Sequence, residues 1–161
     1  MQPGHEKLIV CFVNIRNWRR GVRKRSDDSA FELLTDLYEK VLPIAEEHEG
    51  RIVKVMGDGA LIIWKPEHAT EAVSAVTMMR SRFDELQKAF QPDRPMSMAA
   101  ALTLGPAIAR EMGPPSIRRW DVIGEPVNRA VLLNREHDFV ITQSVADAAE
   151  MDLSEIEVVE D

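Results

Sequence analysis

The chain has 161 residues, 45% of them hydrophobic and 29% charged, with a formal net charge of −7. That length suffices for a sizeable core, and residues 1–161 read as one domain. The negative charge argues against a general nucleic-acid binder, and no apolar run approaches the roughly 18 residues of a membrane helix.

The opening stretch MQPGHEK lacks the charged-then-apolar pattern of a secretory signal. Lys7 to Ile15 (KLIVCFVNI) is an apolar run of the kind that forms a buried strand. Cys11 lies inside it and is the only cysteine. It therefore reads as a small buried residue, in a chain without a disulfide framework and from a reducing, cytoplasmic compartment. Arg16, Arg19, Arg20, Arg23, Lys24 and Arg25 follow within ten residues that contain no acid. This cluster reads either as a solvated loop or as a local anion site.

Asp28 or Ser29 is placed to cap a helix running to about His48. Its apolar positions Phe31, Leu34, Leu37, Tyr38, Val41, Ile44 and Ala45 follow a helical period, Pro43 predicts a kink, and Gly50 a stop. Arg51 to Met56 and Ala60 to Trp64 are two short apolar runs around Gly57-Asp58-Gly59, a strong hairpin signal. A second helix is predicted over about His68 to Phe90, with Met78 and Met79 as core filler. Ser97 to Leu104 reads as a strand closed by Gly105-Pro106. The order β-α-β-β-α-β predicts an α+β fold with a ferredoxin-like core, an antiparallel sheet and both helices on one face.

Additional C-terminal α/β elements follow. Ala107 to Met112 reads as a further strand and Trp120 to Ile123 as a short apolar run broken by Gly124. Glu125 to Arg135 is helical, with Pro126 in its first turn, where proline is tolerated. Phe139 to Thr142 is a strand, and Ser144 is suited to cap a short helix to Met151. Beyond Arg135 there is no Lys or Arg, and the tail is acidic.

Read together, Phe12-Val-Asn-Ile15, Glu49-Gly50, Lys54-Val-Met-Gly-Asp-Gly59, Leu104-Gly105 and Asp121-Val-Ile-Gly-Glu-Pro-Val-Asn-Arg-Ala130 resemble the catalytic domain of class III adenylate and guanylate cyclases. The resemblance runs from about Leu8 to Ser144. It implies the nucleotide cyclase fold, dimers with sites shared between two chains, and Mg²⁺ or Mn²⁺ as cofactor. Two aspartates hold two metals in that family. The hairpin aspartate matches Asp58, the first-strand aspartate falls on Asn14, and the backbone carbonyl of Ile15 is a further ligand. A lysine and an aspartate that read adenine match Lys54 and Asp121, which points to ATP. Adenine offers an acceptor at N1 and a donor at N6, and guanine reverses both, so a mismatched base is rejected strongly.

The ribose-orienting asparagine matches Asn128. The transition-state arginine four residues later falls on Leu132, and Arg135, seven residues after Asn128, shares its helix face. Arg129 points to another face. Three departures from the pattern are Asn14, Leu132 and the absence of a terminal hairpin with a phosphate-contacting lysine. The chain thus reads as an adenylate cyclase-like domain converting ATP to cyclic AMP weakly if at all. The alternative is a catalytically inactive cyclase-homology module, acting as a homodimer or as a heterodimer with another cyclase-like domain. His5, His48, His68 and His137 show no metal-ligand spacing. Neither a phosphate loop of the Gly-x-x-x-x-Gly-Lys type nor a Gly-x-Ser-x-Gly elbow occurs.

Overall fold

The computed structural model describes residues 4–161, so the first three residues of the opening stretch lie outside the described residues. The long apolar run at the start becomes β1 (His5–Arg16), which lies between β3 (Gly59–Trp64) and β4 (Ser97–Met112) and is antiparallel to both. A central strand is covered on both faces, which is why its sequence is almost continuously apolar. Ile9, Cys11, Val13 and Ile15 enter the larger core, and Leu8 and Val10 a smaller one on the opposite face. Cys11 is fully buried, and burial pushes its thiol far above the usual range, so it is no reactive thiol.

β2 (Arg51–Met56) pairs with β3, completing the order β2-β3-β1-β4 of a ferredoxin-like sheet. The sheet continues with β6 (Phe139–Thr142) and β7 (Glu157–Val159), both parallel additions, while β5 (Arg119–Ile123) pairs with the far half of β4. β4 runs unbroken through Gly105-Pro106, where the sequence predicts a stop. Between its pairing with β6 at Leu102 and with β5 at Ile108, β4 has only β1 beside it. Proline is tolerated at such an edge.

After β1 comes a short helix, α1 (Trp18–Gly21). α2 (Asp27–Asp36) is capped by Ser26, two to three residues earlier than the sequence reading, with Ser26 Oγ accepting from the Ser29 amide at 3.1 Å. Asp27 and Asp28 instead occupy the first turn, where negative charge suits the helix dipole. The kink predicted at Pro43 takes the form of a π-helical turn, Leu37–Val41, followed by α3 (Pro43–Glu47). The Leu42 amide donates to Leu37 O at 3.0 Å, one residue beyond helical reach. Pro43 lacks an N–H and its ring clashes with an ordinary helical carbonyl, so the wider turn relieves the conflict.

α4 (Ala69–Phe90) follows a 3₁₀ turn at Pro66–His68. α2, α3 and α4 all pack on the larger-core face, as predicted. The opposite face is covered by α5 (Glu125–Glu136), whose Ala130 joins Leu8, Val10, Leu61 and Ile63. The buried Thr103 hydroxyl donates to Pro126 O at 2.7 Å and ties the first turn of α5 to β4. α6 (Gln143–Ala148) is shorter than predicted.

The hairpin turn is Gly57-Asp58, with Met56 opposite Gly59. Gly57 has φ 59° and Asp58 is not among the positive-φ residues, the pattern of a II′ turn with glycine first. The sequence reading places Gly59 in the turn together with Gly57 and Asp58. Gly59 is instead a strand residue, and a Cβ there would lie 2.8 Å from Val13 O. Gly59→Ala is therefore expected to cost about 1 to 3 kcal/mol, because backbone, not a flexible side chain, must move. Urea denaturation checks this, and an unchanged midpoint would mean that β1 and β3 separate there freely.

Candidate functional site

The end of β1 and the hairpin tip meet because Asn14 is paired opposite Gly59. Asp58 Oδ2 accepts from the Ile15 amide at 3.3 Å. Tyr38, from the π-helical turn, donates its hydroxyl to Gly57 O at 2.6 Å and holds the tip. Burial, and then the Asp58 charge, raise the Tyr38 phenol above its usual range, so it remains a donor at neutral pH. Asn14, Ile15 and Asp58, predicted as a set, are thus brought together.

Arg16 was legible only as one of a basic cluster. The structure gives it a separate task. Its guanidinium donates to Asn14 Oδ1 at 2.9 Å, to the Asn134 side chain and carbonyl, and to His137 O at 2.9 Å. The two carbonyls lie at the C-terminus of α5, where a cation is favoured. Asn134 is buried and donates back to Phe12 O at 3.1 Å. Among the described residues Arg16 has no carboxylate partner, so it brings uncompensated positive charge beside Asn14. Asn134 escaped the sequence reading. Its only signal was a polar residue beside Leu133 on the apolar side of the helix.

These donors bear directly on metal binding. Among the described residues Asp58 is the one carboxylate lining the cleft beside Ile15, and the Asn14 amide oxygen is engaged by a cation. Among the described residues no three His, Cys, Asp or Glu side chains converge. The set suits a single divalent ion completed by substrate phosphates and does not suit a pair.

Lys54 and Asp121 form the second group. Lys54 Nζ lies 2.9 Å from Asp121 Oδ2, with side chains 21% and 14% exposed, so the pair is shielded without being sealed. Lys54 lies directly after a register shift in β2. Ile52 pairs with Ile62 and Lys54 with Leu61, leaving Val53 as one extra residue. Ile62 lies on the larger-core face and Leu61 on the α5 face, so its pairing opposite Leu61 turns Lys54 toward α5 and β5, and the bulge lets Ile52 face the larger core. Arg51, over the Trp120 ring at 3.4 Å, fastens β2 to β5 alongside. Burial alone would raise the Asp121 carboxyl. The Lys54 ammonium, the Val122 amide and the Arg119 charge outweigh it and hold Asp121 below the usual carboxylate range.

The third group lies on α5. Asn128, Leu132 and Arg135 are all exposed and share one outward face. Leu132 is 54% exposed, unusual for leucine on a helix with an otherwise polar outer side. Among the described residues Arg135 has no hydrogen bond or ion pair with the other candidates. Arg129 turns away, donating to Glu160 O at 3.0 Å. No hydrogen bond or ion pair among the described residues joins the Asp58 group, the Lys54–Asp121 pair and the α5 face.

The chain and its fold match known proteins. A family model described as the adenylate and guanylate cyclase catalytic domain matches residues 1–155, and the chain belongs to that family. The structure is similar to the guanylyl cyclase Cya2, with TM-score 0.82 and 17% identity over 94% of this chain and 82% of that one. It is similar to the adenylyl cyclase CyaB from P. aeruginosa, with TM-score 0.83 and 20% identity over 92% and 82%. A class III adenylyl cyclase-like ATP-binding protein from Pseudomonas aeruginosa superposes with TM-score 0.75 and 19% identity over 91% of this chain and 35% of that one. At these identities the likeness establishes the fold. No match was found among curated proteins. Among the described residues no helix is long and apolar enough to cross a membrane.

Proposed function

We propose that this chain binds ATP with one divalent cation, and that by itself it makes cyclic AMP weakly or not at all. The observation that carries the reading is the Lys54–Asp121 pair, assembled within one chain. Lys54 keeps two further N–H donors and Asp121 keeps free lone pairs. Together they present the donor and acceptor that adenine N1 and N6 require.

Asp58 would hold a cation that offsets the charge of the triphosphate. Asn128, on the exposed face of α5, would meet a ribose. The chemical step is weakened at two points. Asn14 offers no charge and is engaged by Arg16, and Leu132 offers no donor to charge developing on the phosphates. The Lys54–Asp121 pair and the Asp58 group do not touch within one chain, which supports a nucleotide held between two copies or between this chain and a related one. In a homodimer both sites carry the same two losses. A complete cyclase domain as partner would supply them, the second reading that Asn14 and Leu132 favour. The similar Pseudomonas aeruginosa structure described as cyclase-like and ATP-binding fits a nucleotide-binding role.

Calorimetric titration of ATP and GTP with Mn²⁺, beside an assay for cyclic AMP, tests the reading. Binding of ATP in preference to GTP is expected, with Asp58→Asn removing the metal-dependent part. Turnover in the ordinary enzyme range of about 1 to 10³ per second would overturn the weak-catalyst reading.

A further inference from the structure

Most of the basic cluster takes no part in the site described above. Arg25 is structural. Its guanidinium donates to Phe90 O at 2.7 Å and to Gln91 O, closing the C-terminus of α4, and it stacks on the Phe90 ring at 4.6 Å. Three of the remaining cations, joined by Arg94, line a groove between the β1–α2 connection and the α4–β4 connection. Its walls are Arg20, Arg23, Lys24, Asp93 and Arg94, four cations and one carboxylate in a chain whose net charge is −7.

The groove has a fixed frame. Asn17, in the left-handed region at φ 63°, donates from its side chain to Pro95 O at 3.2 Å. The Asp93 amide donates to Gly21 O at 3.0 Å, and the Lys24 amide to Asp93 Oδ2 at 2.8 Å. Gly21 is buried against Met96, whose sulfur would lie 2.6 Å from an added Cβ. The backbone carrying the arginines is therefore pinned along its length to residues 90–96. The charged ends are not pinned. Among the described residues the side chains of Arg20, Arg23, Lys24 and Arg94 have no hydrogen bond or ion pair. Like charges held together on a rigid frame repel one another, and a multivalent anion removes that cost.

We propose that this groove binds a polyphosphate anion, a run of two or more phosphate groups either free or carried on a lipid headgroup. Its space of about 420 Å³ far exceeds that of one small ion, since a water molecule takes about 30 Å³ in the liquid. Guanidinium forks suit phosphate oxygens bidentately, and three of the four cations are arginines. Arg20 also lines the neighbouring cleft with Ile15, Trp18 and Asp58, so the groove adjoins the candidate nucleotide cleft without sharing Asp58.

The test is calorimetric titration of the full chain with inorganic tripolyphosphate in metal-free buffer, with sulfate at equal ionic strength as comparison. Tripolyphosphate is expected to bind tighter than sulfate. Arg23→Ser with Arg94→Ser, both exposed positions, is expected to weaken it by about tenfold or more, because two charge-assisted contacts are lost. Lys24→Ser, made separately, is expected to act in the same direction, and Asp58→Asn to leave the affinity unchanged. Vesicles carrying phosphatidylinositol bisphosphate form a second arm, and arginine-dependent binding in either arm supports the groove and identifies the source of the phosphates. Equal affinity for sulfate and tripolyphosphate, or retention of binding in both groove variants, overturns the proposal. Tighter binding in Asp58→Asn would place the anion in the nucleotide cleft, where without metal the carboxylate repels it, and overturn the proposal too.

Discussion

Replacing Asn14 by Asp and Leu132 by Arg together is expected to raise cyclic AMP formation by about 10² to 10³-fold, the usual worth of a preorganised cation at developing charge. The two changes meet different surroundings. Leu132 is 54% exposed on α5, so an arginine there displaces no packing and lies one helical turn from Asn128. Asn14 sits 2.9 Å from an Arg16 Nη, so an aspartate would pair with that guanidinium before it met a metal. Leu132→Arg alone should therefore recover more of the rate than Asn14→Asp alone. Steady-state assays with Mn²⁺ and ATP measure all three proteins. No gain from the double variant would mean that Asn14 and Leu132 are not what limits the reaction.

The Lys54–Asp121 pair yields the second large effect. Lys54→Met is expected to reduce the preference for ATP over GTP at least about tenfold, since a base is rejected chiefly through unpaired polar groups. The same substitution leaves Asp121 shielded without its cation, at a cost of about 1 to 3 kcal/mol at neutral pH. The pH dependence follows from the depressed Asp121 carboxyl. A carboxyl lowered on folding stabilises the protein above its unfolded value, about 3.9, and that contribution is lost as pH falls through the lower folded value. The stability gap between wild type and Lys54→Met should therefore narrow below about pH 4. Urea denaturation at several pH values reads the gap, and nucleotide titrations read the preference. Equal binding of ATP and GTP by the wild type would remove the adenine reading.

Some of this was visible in the residues alone, for identifiable reasons. β1, the hairpin and α4 announce themselves because apolar spacing and glycine or proline punctuation agree there. Asn14 and Asp58 could be placed together only through the resemblance to the cyclase family, and the antiparallel pairing of Asn14 with Gly59 supplies the physical reason. β4 was cut short at Gly105-Pro106 because a one-dimensional reading cannot tell that a strand has lost one neighbour. β7 passed unnoticed because three residues, Glu157 to Val159, are too few to show alternation. The role of Arg16 was hidden for another reason. Its partners, Asn134 and His137, lie more than a hundred residues away, and two of its acceptors are main-chain carbonyls that no side-chain pattern encodes.

The extra residue at Val53 has a consequence for how such a hairpin can change over time. From Met56 back to Lys54 the ladder runs unshifted opposite Gly59, Ala60 and Leu61, so the turn that presents Asp58 also fixes the face of Lys54. The bulge at Val53 lies on the far side of Lys54 and uncouples Arg51 and Ile52 from that register. A slip in the first half of β2 can therefore be taken up at Val53 without moving Lys54 or the tip. Lys54 and Asp58 change position together, whereas Asn14 on β1 and Leu132 on α5 can be replaced without disturbing either. A chain built this way can stop turning substrate over and still tell one nucleotide from another.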